Sequence, residues 1–321
     1  MSDHKYVTLQ PSGDKIPLVG FGTARIPAAE TEDVIYNAIK IGNRLIDGAL
    51  LYANEPEVGK AVRRAIADGI VKREELFIVG KLWNTFHEKK HVKPIFQQTL
   101  DNYGLDYIDL YLIHFPLATE YVDPKEGLDF LKPNKEFKII KAPLQETWRE
   151  LEDLVDSGVV RNIGISNFNV QSTLDLLSYA RIPPSVLEIE HHPYLQQRRL
   201  VNWAKSQGIH VIAYASFGNA VFEKFPPGTE HLENLMKHPV IVNIAKKHKR
   251  DVGQILLAWA VHHEVIVIPK TVKVERMKSN LDIDHIKLDD DDLQKIAKLE
   301  ANARFNDFFD STYGFDLPLF A

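Results

Sequence analysis

The sequence of 321 residues contains no cysteine. This absence excludes disulfide bonds, a thiolate nucleophile and any metal site with cysteine ligands. The sequence also lacks a long apolar run, since residues 255–261 fall far short of the roughly 20 residues that cross a bilayer. We therefore expect no membrane association, and a reducing compartment, the cytoplasm, is the expected location.

The chain has no excess of positive charge. Its 39 lysine and arginine residues are outnumbered by 44 aspartate and glutamate residues, so the formal net charge is −5. Because nucleic-acid-binding surfaces are usually basic, we expect no nucleic-acid partner. With 45% hydrophobic residues, the chain can bury one large core. We predict a single domain over residues 1–321.

Eight short apolar runs alternate with amphipathic segments along the chain. The runs are apolar on both faces, as buried parallel strands require, and the segments between them have helical spacing, as in residues 58–66. Eight strands with intervening helices favour a closed barrel over an open doubly wound sheet. The predicted strands are residues 18–22, 44–47, 76–81, 108–114, 162–166, 186–190, 210–214 and 265–269.

Two further segments are predicted at the ends of this barrel. Residues 7–9 and 16–18 flank a Ser12-Gly13-Asp14 turn and are expected to form a hairpin that plugs the barrel bottom. The residues from Ala301 onwards are rich in aromatic side chains and have no periodicity, which suggests a tail over the barrel mouth. The predicted fold class is α/β, a (β/α)8 TIM barrel with an N-terminal β-hairpin and a C-terminal tail.

Ionisable residues end three successive predicted strands: Asp47, Lys81 and His114. In a barrel, the carboxyl ends of the strands converge on the mouth where active sites lie. A buried lysine is costly unless its charge is paired, so we expect Lys81 to pair with Asp47. Tyr52 follows in the next loop, and a neighbouring cation would lower its pKa from about 10 towards the working pH of a general acid. Taken singly, each residue would be an ordinary strand-end or packing residue.

Several stretches of sequence resemble the aldo-keto reductase family: residues 44–55, 80–84, 109–116, 163–168 and 268–271. Residues 191–197 and 304–307 are similar to the fungal xylose reductase branch in particular. The resemblance covers almost the whole chain. It implies an NADPH-dependent enzyme that reduces an aldehyde or ketone to an alcohol, with a catalytic tetrad of Asp47, Tyr52, Lys81 and His114.

The resemblance also implies how the cofactor is held. Three residues would contact the nicotinamide carboxamide, a tyrosine would stack on its ring, a loop would cover the pyrophosphate, a basic group would bind the adenosine 2′-phosphate, and an asparagine would face the adenine. Because two cations suit a phosphate, NADPH is expected over NADH. Ser166, Asn167 and Glu188 would contact the carboxamide, and Tyr214 would stack on the ring. Ser216 and Phe217 belong to the loop over the pyrophosphate. Lys270, Thr271 and Arg276 would bind the 2′-phosphate, and Asn280 would face the adenine.

Four positions depart from the pattern that the resemblance implies. Glu188 stands in place of a glutamine, and a carboxylate cannot donate a hydrogen bond unless it is protonated. Ala215 replaces a serine, Ala24 replaces a tryptophan, and Leu51 replaces an acidic residue. A pocket that loses polar partners discriminates less for hydroxyl groups, so we predict a bulkier or more apolar carbonyl substrate. The candidate substrate-binding residues are Ala24, Leu51, Trp83, Phe115, Asn306, Phe308 and Phe309.

Other functions remain open at this stage. A non-catalytic NADPH-binding regulatory barrel also fits the resemblance, although it would not need to desolvate four ionisable groups. An isomerase or aldolase could use Lys81 to form a Schiff base. No convergent metal ligands are visible, since adjacent residues such as His191 and His192 point to opposite faces of a strand, and we predict no metal. The sequence is compatible with a monomer or a homodimer.

Overall fold

A computed structural model of the protein describes residues 5–127, 138–222, 226–307 and 317–320. Within these ranges the last eight strands form one parallel sheet in sequence order, and a parallel bridge between Val19 and Val267 joins its two edges. The predicted (β/α)8 barrel is confirmed. The strands are β1 (Tyr6–Thr8), β2 (Lys15–Pro17), β3 (Phe21–Gly22), β4 (Leu45–Asp47), β5 (Phe77–Leu82), β6 (Ile108–Ile113), β7 (Val160–Ser166), β8 (Val186–Glu190), β9 (His210–Tyr214) and β10 (Ile266–Val267).

Helices lie between all consecutive strands of the barrel and follow the last one. Their inward faces are apolar, as in the second helix, which buries Val58, Ala61 and Val62 at the spacing of one helical face. No helix in the described ranges is both long and apolar enough to cross a membrane. The helices are α1 (Ala28–Ile41), α2 (Glu55–Ala67), α3 (Lys89–Tyr103), α4 (Leu144–Asp156), α5 (Val170–Tyr179), α6 (Arg198–Ser206), α7 (Pro239–His248), α8 (Val252–His262), α9 (Val274–Leu281) and α10 (Asp290–Ala297).

The N-terminal hairpin covers one end of the barrel, as predicted. The side chain of Ser12 donates to Oδ1 of Asn162 (2.7 Å), and Nδ2 of Asn162 donates to Oδ2 of Asp14 (2.8 Å). Nε2 of His210 lies 3.0 Å from the carbonyl oxygen of Thr8. Because Asn162 and His210 lie at the amino-terminal ends of β7 and β9, the hairpin closes the bottom of the barrel and leaves the mouth to other segments.

The described part of the C-terminal segment lies at the opposite end. Glu190, the last residue of β8, accepts hydrogen bonds from the backbone N–H groups of Phe305 (2.9 Å) and Asn306 (2.8 Å). Nδ2 of Asn306 donates to the hydroxyl of Tyr214, the last residue of β9, at 2.9 Å. Residues 304–307 therefore lie against the barrel mouth. The predicted wall residues Phe308 and Phe309 lie outside the described residues.

Candidate active site

The carboxyl ends of β4 and β5 bring Asp47, Lys81 and Tyr52 into direct contact. Nζ of Lys81 lies 2.5 Å from Oδ1 of Asp47, 3.1 Å from the carbonyl oxygen of Gly48 and 3.3 Å from the hydroxyl of Tyr52. Lys81 has no solvent exposure and Asp47 is almost fully buried. The ion pair is therefore shielded from solvent, and its charges interact more strongly with the phenol of Tyr52 than they would in water.

Glu188 adds a contact that the sequence did not predict. Its Oε1 lies 3.3 Å from Nζ of Lys81, so two carboxyl groups share one ammonium group. Sequence reasoning placed Glu188 against the cofactor only. The available signal was its position inside a strand that is buried throughout, because a buried acid needs a cation or a proton.

His114 lies beside this cluster and carries no charge. Its ring packs edge-on against Tyr52 and Trp83, with centroids 5.9 and 5.1 Å away, and stacks on Phe115 at 5.4 Å. Burial holds the pKa of the imidazole well below its usual value, and the positive charge of Lys81 lowers it further. Nδ1 of His114 is buried and has no hydrogen-bond partner among the described residues. The neutral ring is thus available to a ligand.

The pKa of Tyr52 departs from the sequence-based prediction. Burial raises the pKa of its phenol above the ordinary value, and this effect outweighs the opposite effect of Lys81. The prediction of a lowered pKa is wrong chiefly because of this burial, and the negative charges of Asp47 and Glu188 raise the pKa further. Tyr52 is therefore protonated at neutral pH and can donate a proton.

Lys81 is a permanent cation in this site. Burial alone would lower its pKa, but the charges of Asp47 and Glu188 raise it above the ordinary value of a lysine. A lysine that forms a Schiff base must be available as a free amine. The aldolase or isomerase alternative is therefore disfavoured.

A chain of hydrogen bonds joins Asn167, Tyr214 and Asn306 to His114. Nδ2 of Asn167 donates to the carbonyl oxygen of His114 (2.8 Å), and its Oδ1 accepts from the hydroxyl of Tyr214 (2.6 Å). Asn167 adopts a left-handed backbone (φ 64°), which asparagine tolerates. Ser166 is fully buried, and its Oγ accepts from Nδ2 of Asn167 at 3.0 Å. The residues predicted to hold the carboxamide thus lie next to His114.

The residues predicted to bind the rest of the cofactor follow β9 and β10. Ser216 and Phe217 come directly after β9, with Oγ of Ser216 donating to the carbonyl oxygen of Ala213 at 3.3 Å. Lys270 and Arg276 are exposed, and neither forms an ion pair within the part of the chain that the structure describes. Thr271 accepts from the backbone N–H of Lys273 (3.1 Å). Two free cations beside α9 suit an anionic group, while Asn280 is partly buried one turn after Arg276.

Two of the predicted substrate residues, Trp83 and Phe115, pack against the ring of His114. Trp83 and Phe115 are buried and pack edge-to-face with centroids 6.0 Å apart. Ala24 and Leu51 are partly buried in the segments after β3 and β4. Asn306 reaches the same region through its hydrogen bond with Tyr214. The aromatic side chains make this side of the site apolar.

Two histidines after β8 and an acidic group at α10 already have partners in the fold. His191 stacks on Trp259 with centroids 4.8 Å apart, whereas Nε2 of His192 lies 2.8 Å from Oε1 of Glu190. The carboxylates of Asp289, Asp291 and Asp292 lie within 4.8 Å of one another at the start of α10. Lys247 contacts two of them, Asp289 at 2.6 Å and Asp292 at 2.8 Å. A cation therefore already occupies the position that a metal would take.

Comparisons with known proteins agree with this geometry. The chain is 50% identical to the 4-dihydromethyl-trisporate dehydrogenase of Mucor mucedo, with 98% of each chain covered. It is 48% identical to an NAD(P)H-dependent D-xylose reductase of Pyricularia oryzae, covering 92% of this chain and 93% of the relative. The solved structure of an aldose reductase from Schistosoma japonicum matches with a TM-score of 0.86 and 33% identity, covering 97% of both chains. The family profile described as "Aldo/keto reductase family" matches residues 18–301, and the chain therefore belongs to the aldo/keto reductase family.

Proposed function

We propose that this protein is an NADPH-dependent oxidoreductase that reduces an aldehyde or ketone to an alcohol, with Tyr52 as the proton donor. The observation that carries this proposal is the contact of a protonated, partly buried phenol with Lys81 (3.3 Å) beside the neutral ring of His114. A general acid must be protonated and close to the group that develops charge, and Tyr52 meets both conditions. Membership of the family and the names of the relatives support the reaction type.

Each of the four residues Asp47, Tyr52, Lys81 and His114 has a separate role in the proposed carbonyl reduction. NADPH, when bound, supplies the hydride that forms the new C–H bond at the carbonyl carbon. Tyr52 gives its proton to the carbonyl oxygen as negative charge develops there, and Lys81 stabilises the resulting phenolate. Asp47 holds Lys81 in position, and His114 offers a neutral hydrogen-bonding nitrogen that orients the carbonyl oxygen.

We assign the cofactor to the residues that follow β7 to β10. Ser166, Asn167 and Glu188 would hold the carboxamide, and Tyr214 would stack on the ring. The buried amide and hydroxyl groups next to His114 fit this part of NADPH, because they can exchange their hydrogen bonds with one another for bonds to an amide. Ser216 and Phe217 would cover the pyrophosphate. The exposed cations Lys270 and Arg276, with Thr271 and Asn280 nearby, fit the adenosine 2′-phosphate.

Arg276 is expected to discriminate between NADPH and NADH. The Arg276→Ala variant should raise KM for NADPH about tenfold or more and leave KM for NADH nearly unchanged, because hydrogen bonds to a charged group contribute about 1.5–3 kcal/mol. Initial rates with each cofactor measure this. Lys278→Ala is the matched control, since Lys278 is also an exposed cation on α9. An equal loss for both cofactors would show that Arg276 does not contact the 2′-phosphate.

For the substrate, we propose a bulkier or more apolar carbonyl compound than a sugar. Trp83 and Phe115 support this proposal because their rings pack against His114, and Leu51 adds a partly buried apolar side chain directly before Tyr52. The names of the relatives include both a trisporate dehydrogenase and xylose reductases, so they do not point to one substrate.

A panel of aldehydes tests both the reaction and the substrate class. NADPH oxidation by the purified protein should be fastest with an aromatic aldehyde and slower with glyceraldehyde and xylose, compared as kcat/KM. A clear preference for xylose would contradict the apolar pocket. Tight NADPH binding without reduction of any carbonyl compound would instead favour the regulatory alternative, which the contact of Tyr52 with Lys81 currently argues against.

We further propose that the whole chain works as one domain in the cytoplasm, as a monomer or a homodimer, with a small carbonyl compound and NADPH as its ligands. The absence of cysteine is compatible with a reducing compartment. The hairpin supports one domain, because its turn is bonded to Asn162 in the middle of the chain.

A further inference from the structure

The ammonium group of Lys81 has more acceptors than it can satisfy. It carries three N–H donors, yet Asp47, the carbonyl oxygen of Gly48, Tyr52 and Glu188 all lie within 3.3 Å of its nitrogen. Tyr52 and Glu188 lie at the same distance, 3.3 Å. These two groups therefore compete for the same donor.

The charges of this buried cluster do not balance if both acids are ionised. Asp47 and Glu188 would then carry two negative charges against the single positive charge of Lys81, and all three side chains are at most 3% exposed. The tyrosines that face the cluster are Tyr52, Tyr103 on α3 and Tyr214 on β9. All three are uncharged, since burial raises the pKa of each phenol.

His114 from β6 faces Lys81 and also remains neutral, because burial lowers its pKa. No second cation thus compensates the cluster among the described residues that face it. An uncompensated buried carboxylate costs several kcal/mol, and taking up a proton removes that cost. Oε2 of Glu188 is buried and has no hydrogen-bond partner among the described residues, so this oxygen can carry that proton.

We propose that Asp47 and Glu188 share one proton around Lys81, and that Glu188 is a positioning residue that controls how strongly Lys81 acts on Tyr52. When Glu188 is protonated, the ammonium group of Lys81 interacts with Asp47 and with the hydroxyl of Tyr52. When Glu188 is ionised, it draws the ammonium group away from the phenol and makes Tyr52 a weaker acid. The effect on catalysis rests on the proposed function, whereas the shared proton does not.

The electrostatics of the site agree with this assignment. The pKa of Glu188 is raised to about 8, first by burial and then by the negative charge of Asp47, while the positive charge of Lys81 opposes both effects. Burial also raises the pKa of Asp47 against the effect of Lys81. Because two coupled acids titrate as a pair, the proton belongs to both of them.

The first test measures the proton without relying on activity. Glu188 keeps its proton in the folded protein up to about pH 8, whereas in the unfolded chain it loses this proton near pH 4–5. Its contribution to the free energy of unfolding is therefore present at low pH and is lost as the pH rises from about 5 to about 8. The unfolding constant of the wild type relative to Glu188→Gln should therefore rise by up to about tenfold per pH unit over this range and level off above it. A ratio that does not change with pH overturns the proposal.

A second variant separates a shared proton from simple burial. In Asp47→Asn, Glu188 becomes the only carboxylate beside Lys81 and should ionise. The pH-dependent difference between Asp47→Asn and the double variant Asp47→Asn, Glu188→Gln should then disappear. A difference that persists would mean that burial alone protonates Glu188, and the shared proton would be wrong.

The kinetic test addresses the positioning role. The wild type should lose kcat above about pH 8 at saturating NADPH, and Glu188→Gln should lack this decrease. An unchanged profile in Glu188→Gln overturns the positioning role. If no carbonyl compound is reduced at all, the proposed function fails, yet the unfolding measurements still decide whether the proton is shared.

Discussion

Replacement of Lys81 by methionine is expected to lower the free energy of unfolding by about 3–5 kcal/mol at neutral pH, the usual cost of removing one partner of a buried ion pair. The variant leaves Asp47 and Glu188 buried with no cation in contact. Methionine has a similar length and no charge, so most of the loss comes from electrostatics and little from a cavity.

The loss in Lys81→Met should depend on pH in a defined direction. Burial already raises the pKa values of Asp47 and Glu188 in the wild type, and removing Lys81 raises them further. A group with a raised pKa in the folded state stabilises the protein at low pH, and this contribution is lost as pH rises through that pKa. The deficit relative to the wild type should therefore be smaller at pH 5 than at pH 8.

Denaturant unfolding at both pH values measures this effect. Lys93→Met is the matched control, because Lys93 also contacts two carboxylates, Glu150 at 3.1 Å and Asp153 at 2.7 Å, but its side chain is 50% exposed. Exposed ion pairs contribute about 0–1 kcal/mol, so this control should change little. Equal losses in the two variants would mean that the Lys81 cluster is no more desolvated than the surface pair.

The Tyr52→Phe variant should reduce kcat by about 10²–10⁴-fold, which is the usual contribution of a general acid. Its hydroxyl is the proton donor of the proposed reaction, and its removal leaves the neutral ring of His114 and the ion pair in place. The free energy of unfolding should fall by no more than about 1.5 kcal/mol, since one hydrogen-bonding contact is lost.

Single-turnover rates and an NADPH binding titration separate chemistry from binding in this variant. The dissociation constant of NADPH should remain within a factor of two or so of the wild type, because no cofactor contact is assigned to the Tyr52 hydroxyl. Tyr36→Phe serves as the control: it removes the hydrogen bond from a phenol to Asp68 on the outer helices α1 and α2. Retention of kcat in Tyr52→Phe would assign the proton transfer to another group.

The barrel could be predicted from the sequence because its strands and helices follow from local patterns of apolar and polar residues. The eight apolar runs predict the eight strands, and the run 210–214 matches β9 at both ends. The run 265–269 pairs only over Ile266–Val267, since Pro269 has no N–H to donate to a ladder. Helix boundaries were less predictable. Asn54, which directly precedes α2, is a residue type that commonly caps helices, but its side chain accepts no capping hydrogen bond; its Nδ2 donates across the loop to the carbonyl oxygens of Thr23 and Ile26.

The sequence was less informative about electrostatics, which depend on distances across the barrel. The pairing of Asp47 with Lys81 could be predicted from their adjacent strands. The contact of Lys81 with Glu188 could not, because β5 and β8 are far apart in sequence and only barrel closure brings their interior side chains together. The sign of the pKa shift of Tyr52 was wrong because the effect of burial, which the sequence does not show for a loop tyrosine, exceeds that of Lys81.

The attachment of the C-terminal segment has a consequence for how this fold can diversify. Glu190 binds the segment through the backbone N–H groups of Phe305 and Asn306, which every amino acid except proline provides. Mutations can therefore exchange the side chains on this part of the pocket rim while its path over the mouth is preserved. New specificities can evolve at the rim without compensating changes in the barrel.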